Sequence, residues 1–298
     1  LSDVYVPACL PDSEKVRTDI CDYYWEIQRF DREVGQILRV LEERGELEKT
    51  LVVITSDNGM PFPRAKATLY DLGVRMPLAI RWPAKVKGGR VVDDFVSLSD
   101  IAPTFLEAAG VEVPEEMTGR SLIALLLSGK SGTVEASRDR VFTAIERHAW
   151  CRPDGIGYPS RAIRTHRWLY IRNYESDRWP AGDPDFDSPH QGSYGDIDNG
   201  PTKTYMMQHK DDPNVAPLFQ LGFGKRPAEE LYDVINDPDQ IRNLAGDSTF
   251  AEVKKKLRDQ LEQYQRDTKD PRVEGKSPWE RYPYYYKDYW KRAARSAD

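Results

Sequence analysis

The chain has 298 residues, 39% of them hydrophobic and 31% charged, with a formal net charge of −6. No apolar stretch approaches the ~18 residues that a spanning helix requires, so the composition is that of a globular protein and not of a tail or a membrane segment. The negative balance weighs against nucleic acid as a partner but says little about an anionic ligand, since a local basic pocket can coexist with an acidic surface. Cys9, Cys21 and Cys151 are widely separated and make no disulfide framework, and the start at Leu1 carries no signal-like region, so neither reports on the compartment.

Apolar residues at Ile20, Tyr23, Ile27, Phe30, Val34, Ile37, Leu38 and Leu41 recur every three or four positions. That period predicts one amphipathic helix from about 13 to 44, stopped by Gly45. The run Leu51-Val-Val-Ile-Thr55 reads as a fully buried parallel strand, because it is rich in β-branched residues and bounded by turn signals. Asp57-Asn58-Gly59 follows at its carboxyl end, where open α/β sheets bind ligands and where Gly59 permits a sharp exit of the backbone. A carboxylate and an amide carbonyl there make a half-site for a hard divalent cation, although Ser-Asp-Asn-Gly read alone is equally an ordinary turn. Residues 77–82 predict a second strand, and 100–109 a second helix closed by Gly110. Such an α/β sheet needs more strands than this piece supplies.

Beyond the turn-rich stretch 129–138 the pattern changes. Strands are predicted at 140–145, 161–165, 168–173 and 230–234, with His166-Arg167 as a tight hairpin connection. Arg161 and Arg164 fall on opposite faces of their strand, so at most one of them reaches a pocket. Residues 175–227, rich in Asp, Pro, Gly and Asn, form a functional rim or a mobile loop. Within it, Asp183-x-Asp185-x-Asp187 has the opening spacing of a calcium loop, but Ser188 stands where glycine is needed and Tyr194 where glutamate is needed, so that reading is rejected. Trp179, Tyr194, Phe219 and Phe223 supply flat faces for a sugar or anchor the loop, the second being the safer expectation; His190 and His209 read as exposed. A last helix, about 248–267, buries Phe250, Val253, Leu257, Leu261 and Tyr264. The aromatic tail from Trp279 to Trp290, with Lys287, Lys291 and Arg292, either binds polyanions or wraps its own domain.

Taken together, residues 55–66 (Thr-Ser-Asp-Asn-Gly-Met-Pro-Phe-Pro-Arg-Ala-Lys) and 69–83 strongly resemble the sulfatase family of the alkaline-phosphatase-like superfamily, and within it the heparan N-sulfatase (sulfamidase) branch. The resemblance continues through Leu98-Ser-Asp-Ile-Ala-Pro-Thr-Phe105, Met117-Thr-Gly-Arg-Ser-Leu122, Glu230-Leu-Tyr-Asp233, Asn236-Asp-Pro238 and Asn243-Leu-Ala245. Several ordered motifs over most of the chain are far more specific than any one of them. The implied fold is α/β: residues 1–138 as the C-terminal part of the main sulfatase domain, and 139–298 as a small antiparallel-sheet subdomain with a packing helix, the long loop 175–227 and the aromatic tail.

The same comparison exposes an absence. The family's nucleophile, a cysteine oxidised to formylglycine within Cys-x-Pro-Ser-Arg, lies far on the N-terminal side of the Asp-Asn pair. Cys9-Leu-Pro-Asp-Ser13 and Cys151-Arg-Pro-Asp-Gly155 lack the arginine and stand in the wrong places, so both read as ordinary cysteines. The chain is therefore expected to be a C-terminal portion, inactive alone, whose partners are the missing N-terminal portion and a sulfated saccharide, with no nucleic acid and no membrane; a homodimer is left open.

By resemblance, Asp57 and Asn58 help hold a calcium ion, and Lys66 contacts the sulfo group and stabilises its transfer, with Arg64 the neighbouring candidate. Glu146 and His148 occupy the place where the branch carries sugar-facing residues, although Glu146-Arg-His148 departs from the expected Ser-His-His-Glu flavour, and a salt-bridged strand end is an equal reading. A histidine outside the chain would protonate the leaving amine or alcohol. The reaction implied is sulfuric ester or sulfamate hydrolysis, N-sulfoglucosamine type favoured, with an O-sulfatase or an inactive glycan-binding piece as alternatives. A periplasmic, secreted or lysosomal location goes with the family.

Overall fold

A computed structural model describes residues 1–189 and 191–282 of the chain. The first helix, α1 (Glu14–Glu43), begins where the periodicity places it: Ser13 is the N-cap, its hydroxyl accepting from the Val16 amide, and Gly45 takes the left-handed conformation just past the end. Its apolar stripe is only partly used. Val16 and Ile20 are buried, whereas Ile27, Phe30, Ile37 and Val40 are exposed.

Strand β1 (Val52–Thr55) pairs with β2 (Leu78–Arg81), the two separated by the loop 56–70 and a short helical turn, α2 (Asp71–Val74). The pairing is antiparallel, not parallel as the apolar run suggested, and all four β1 residues are half-buried. A β-branched run reports a strand that two layers would cover; it does not report the direction of the neighbour. Here β1 and β2 form a two-stranded sheet among the described residues, too small to be stable alone. Helices α3 (Ile101–Ala108) and α4 (Ile123–Leu127) follow, α3 leading to Gly110 in the left-handed region. A groove of about 1640 Å³ opens among this sheet, the 86–98 segment and α4, lined by apolar Val74, Ile80, Val92 and Leu125.

The second sheet is a four-stranded antiparallel meander, β3 (Arg140–Ile145), β4 (Ser160–Thr165), β5 (Trp168–Asn173) and β6 (Glu229–Asp233), in the order β3-β4-β5-β6. Thr165 and Trp168 flank the His166-Arg167 connection, a two-residue hairpin as the spacing predicts. Alternation sends neighbouring residues to opposite layers. Ile163, Tyr170 and Leu231 pack with Leu257 and Leu261 of helix α7 (Ala251–Asp267), whereas Ala162, Leu169, Ile171 and Tyr232 pack with Leu69 and Tyr70, at the end of the loop that follows β1. Tyr264 is 37% exposed and not buried as expected, but its ring stacks on Phe142.

Residues 175–227 are more ordered than a rim loop. They carry α5 (Pro201–Gln208) and α6 (Ala216–Phe223), and Ala181, Ile197, Met206, Val215 and Phe223 join Val16, Ile20 and Phe62 in one apolar cluster. Trp179, Tyr194, Phe219 and Phe223 stack or meet edge to face, so these aromatics anchor the segment. No described helix is long and apolar enough to cross a membrane. His190 and the tail residues Lys287, Trp290, Lys291 and Arg292 lie outside the described residues, whereas Trp279 packs beside the guanidinium groups of Arg161 and Arg272.

Gly59 serves close approach and not a special turn. Its φ is not positive, but a Cβ there would lie 1.9 Å from the Leu72 carbonyl oxygen and 2.8 Å from Gly73 Cα. Those neighbours are backbone and cannot swing aside. Gly59→Ala is expected to destabilise the chain by about 3 kcal/mol, the upper range for an overpacked site, measured as a urea-midpoint shift at constant m-value.

Candidate functional site

The turn after β1 is built by its own side chains. Ser56 Oγ donates to the Asn58 carbonyl at 2.9 Å, Thr55 Oγ1 to the Pro77 carbonyl at 2.8 Å, and the Asn58 amide to Asp57 Oδ1 at 2.9 Å. Asp57 itself is exposed, and hydrogen bonding from Asn58 holds its carboxyl below the usual carboxylate range, with a further contribution from the nearby Lys66 charge. An ionised, solvent-facing carboxylate beside a side-chain amide is the right chemistry for a hard cation, which takes about 6–8 oxygen ligands. These two residues fit as part of such a shell. Among the described residues no group of three His, Cys, Asp or Glu side chains could hold a metal.

Phe62 and Pro63, both buried, seat the loop in the core, and Lys66 returns toward the turn, its amide donating to the Met60 carbonyl. The Lys66 ammonium lies 2.7 Å from Asp198 Oδ2, both side chains about one-quarter exposed.

Arg64 does not share this position. It is 3% exposed, adopts a positive φ of 62°, and donates to the carbonyls of Leu221 (2.9 Å) and Gln240 (2.6 Å) and to Tyr232 Oη (3.2 Å), with its guanidinium 3.8 Å from the Tyr70 ring centroid. This buried guanidinium holds the loop to the core, so the structure places Arg64 inside the protein and not on the exposed face expected of a substrate contact.

Glu146 is likewise committed. Its carboxylate accepts from Arg161 at 2.6 Å and from Arg272 at 2.7 Å, so the geometry supports the salt-bridged strand end over a sugar contact. Arg161 also meets Asp270, and Arg164, on the opposite face, grips Asp71 and lines the large groove.

His148 is different. Its Nδ1 lies 3.2 Å from Asp196 Oδ1, and its side chain is 34% exposed while that of Asp196 is 8% exposed. Asp196 Oδ1 also accepts from the Ala149 amide, and its Oδ2 from the buried Arg152 at 2.7 Å. Burial alone would raise the Asp196 carboxyl, but the Arg152 charge and the hydrogen bond from His148 outweigh it and hold the group below its ordinary range. Cys9 and Cys151 are fully buried and free, and burial pushes the Cys9 thiol up to about 11 and the Cys151 thiol higher still, as inert structural cysteines require.

No sequence pattern singles out Asp196 or Asp198, whereas Asp183, Asp185 and Asp187 have the opening spacing of a calcium loop. Asp183 Oδ1 caps the Asp185 amide at 2.8 Å, an ordinary Asx turn. Nothing in Gly195-Asp-Ile-Asp198 distinguishes it from a solvated acidic loop; the available signal was the buried-type Ile197 between two carboxylates.

A family model described as N-sulphoglucosamine sulphohydrolase, C-terminal, matches residues 64–196, and a sulfatase model matches residues 6–111. The chain belongs to the sulfatase family. The human N-sulphoglucosamine sulphohydrolase is 31% identical over 288 residues, 91% of this chain and 52% of its own length. An ulvan-active sulfatase of Formosa agariphila is 30% identical over 263 residues, 87% of this chain and 40% of its own. The chain thus spans about half the length of these relatives. Among solved structures, a protein bound to its substrate D-glucosamine-2-N,6-O-disulfate superposes with a TM-score of 0.58 at 26% identity, over 84% of this chain and 41% of that one. A phosphonate monoester hydrolase from Silicibacter pomeroyi shares the fold at 21% identity, with a TM-score of 0.54, over 80% of this chain and 39% of its own.

Removing the Arg64 charge leaves its partner carbonyls and Tyr232 buried without a donor. Arg64→Met is expected to destabilise by about 3 kcal/mol in urea denaturation, the scale for uncovering several buried polar groups. Because the folded Asp196 carboxyl lies below its unfolded value of about 3.9, its contribution is fully present above that pH and is lost as pH falls through the folded value. Urea midpoints recorded between about pH 5 and pH 2 should therefore fall more steeply for the native chain than for Asp196→Asn.

Proposed function

We propose that the chain is the C-terminal part of a sulfohydrolase that removes sulfo groups from a sulfated saccharide, N-sulfoglucosamine type favoured. In this reading residues 1–138 belong to the main α/β domain and 139–298 to the smaller subdomain. The observation that carries it is the placement of Asp57-Asn58 and Lys66 on one loop, with the Lys66 ammonium tied to the same short segment that holds His148. The match to the N-sulphoglucosamine sulphohydrolase model over 64–196 supports the saccharide class.

Asp57 and Asn58 would supply part of the oxygen shell of a calcium ion. Bound there, the ion contributes Lewis-acid polarisation of the sulfo group. Lys66 presents a fixed cation to sulfo oxygens as charge builds on them, which lowers the barrier most when the cation is already in place. His148, with one ring nitrogen engaged and part of the ring open to solvent, faces the sugar. The nucleophile, a formylglycine hydrate, belongs to the N-terminal portion. The exposed apolar residues Ile27, Phe30 and Ile37 of α1 and the large groove, lined by both apolar and charged side chains, are the surface which that portion would cover.

The O-sulfatase reading rests on a specific relative, an N-acetylglucosamine-6-O-sulfatase of Bacteroides thetaiotaomicron that is 26% identical over 254 residues. A glycan-binding module built on the tail has less support, because Trp279 is already engaged by two arginines of its own chain.

The test is sulfate release from N-sulfoglucosamine and from 6-O-sulfated N-acetylglucosamine. The chain alone should release none. Joined to an N-terminal portion bearing Cys-x-Pro-Ser-Arg, it should release sulfate from the sulfamate, lose that activity to a chelator, and lose about 100-fold in kcat on Lys66→Met. Release from the ester only would transfer the assignment to the O-sulfatase reading, and an unchanged kcat in the variant would remove Lys66 from the site.

A further inference from the structure

Two carboxylates outside every recognised motif hold the two side chains offered above to the substrate. Asp198 binds Lys66, and Asp196 binds His148. Lys66 and His148 are far apart in sequence, yet their anchors are two residues apart, so the anchoring Cα atoms lie within about 7 Å of each other.

The segment that carries the anchors is fixed from all sides. Its backbone is pinned by Asp196 N to the Ala181 carbonyl (3.0 Å) and by Ile197 N to the Tyr194 carbonyl (3.1 Å). A Cβ on Gly195 would stand 2.6 Å from Ser188 Cβ, and one on Gly182 would stand 2.6 Å from the Gly195 nitrogen, so the two strands of the loop touch. Lys203, 3% exposed, spends its ammonium on the carbonyls of Gln191 (2.9 Å) and Ile197 (3.0 Å) and on Asn199 Oδ1 (3.1 Å), closing the loop from below. Gln191 Nε2 donates to Asp198 Oδ1 at 3.1 Å, leaving Oδ2 for Lys66. Tyr194 packs edge to face on Trp179, Phe219 and Phe223. Each carboxylate therefore presents one oriented oxygen from a rigid support, the requirement for holding a functional group in register.

We propose that Asp196 and Asp198 are positioning residues: Asp198 fixes the direction of the Lys66 ammonium, and Asp196 fixes the tautomer and rotation of the His148 ring, so that one rigid segment sets a sulfo-facing cation against a sugar-facing imidazole. Asp196 in its ionised form only accepts hydrogen bonds, so in the neutral ring the proton must sit on Nδ1. Nε2 then carries the free lone pair; it has no hydrogen-bond partner among the described residues and accepts from a hydroxyl or amine of the saccharide. Asp196 also ties the loop together through Arg152 and the Ala149 amide, so its hold on the ring has a fixed base. The inference rests on the proposed saccharide site.

The first experiment reads the ring nitrogens of His148 by ¹⁵N NMR in the native chain at a pH where the ring is neutral, and so needs no variant. A proton on Nδ1 is expected; a proton on Nε2 overturns the proposal. The second measures N-sulfoglucosamine binding by chemical-shift titration in the chain joined to an N-terminal portion bearing Cys-x-Pro-Ser-Arg, as the parent protein and as its Asp198→Asn and Asp196→Asn variants. Each variant should weaken binding by about tenfold or more, the scale of one hydrogen bond to a charged group, and Asp196→Asn should release the ring toward the Nε2-protonated form. Unchanged affinity in a folded Asp198→Asn overturns the Lys66 half. If the protein completed with its N-terminal portion carries the proton on Nδ1 but binds no N-sulfoglucosamine, the saccharide reading fails and the substrate role of both aspartates falls with it; Nε2 protonation with intact binding refutes the positioning alone.

Discussion

The loop that follows β1 is held in place by one buried guanidinium. Arg64 reaches from that loop into the seam between the α6 helix, the 238–240 turn and the four-stranded sheet, and bonds to all three. Its surroundings are polar by design: Glu230, 2% exposed, accepts from Tyr70, Tyr232 and Asn173. A positive φ at a residue with a long side chain costs of order 1 kcal/mol, and that strain is tolerated because the bonds fix the conformation. With Arg64 fixed, residues 57–66 can close on themselves, and the Asp57 and Lys66 side chains share one exposed face. The glycines complete the constraint, since Gly59 meets Leu72 and Gly73 at distances that no side chain allows.

The elements with strong period were legible in the sequence. Helix α1, the meander β3–β5, strand β6 and helix α7 announce themselves through spacing and turn residues, because each depends on its own stripe or face. What failed to announce itself is non-local. The direction of the β1 neighbour depends on chain connectivity and not on β-branching, and the 175–227 segment reads as a loop because its buried residues are sparse, contributed one at a time by Ala181, Ile197, Met206 and Phe223 to a core whose other half is the start of α1.

The candidate site divides along the same line. Asp57, Asn58 and Lys66 lie within ten residues, so a local motif brings them into view. Arg64 shares that motif and still goes to a different job, because which of two neighbouring cations turns inward is decided by the Tyr70 ring and the carbonyls awaiting it, not by the motif. His148 and its anchor Asp196 are joined across 48 positions, and Lys66 and Asp198 across 132. Pairings of that separation leave no periodicity to read.

A carboxylate 2.7 Å from Lys66 could be taken as evidence that its charge is spent. The geometry argues otherwise. An ammonium has three donors, Asp198 engages one through a single oxygen, and the side chain keeps about a quarter of its surface open. A flexible four-carbon stem free in water would lose rotamer freedom of up to ~2 kcal/mol on meeting an anion. Held by Asp198, it has already lost that freedom during folding. The ion pair thus reduces net positive charge at the site yet removes the ordering cost at the moment of binding, and the latter favours an anion that brings more than one unit of charge or a second contact. A sulfated sugar with a hydroxyl or amine for His148 satisfies the second condition, whereas a bare monovalent anion satisfies neither.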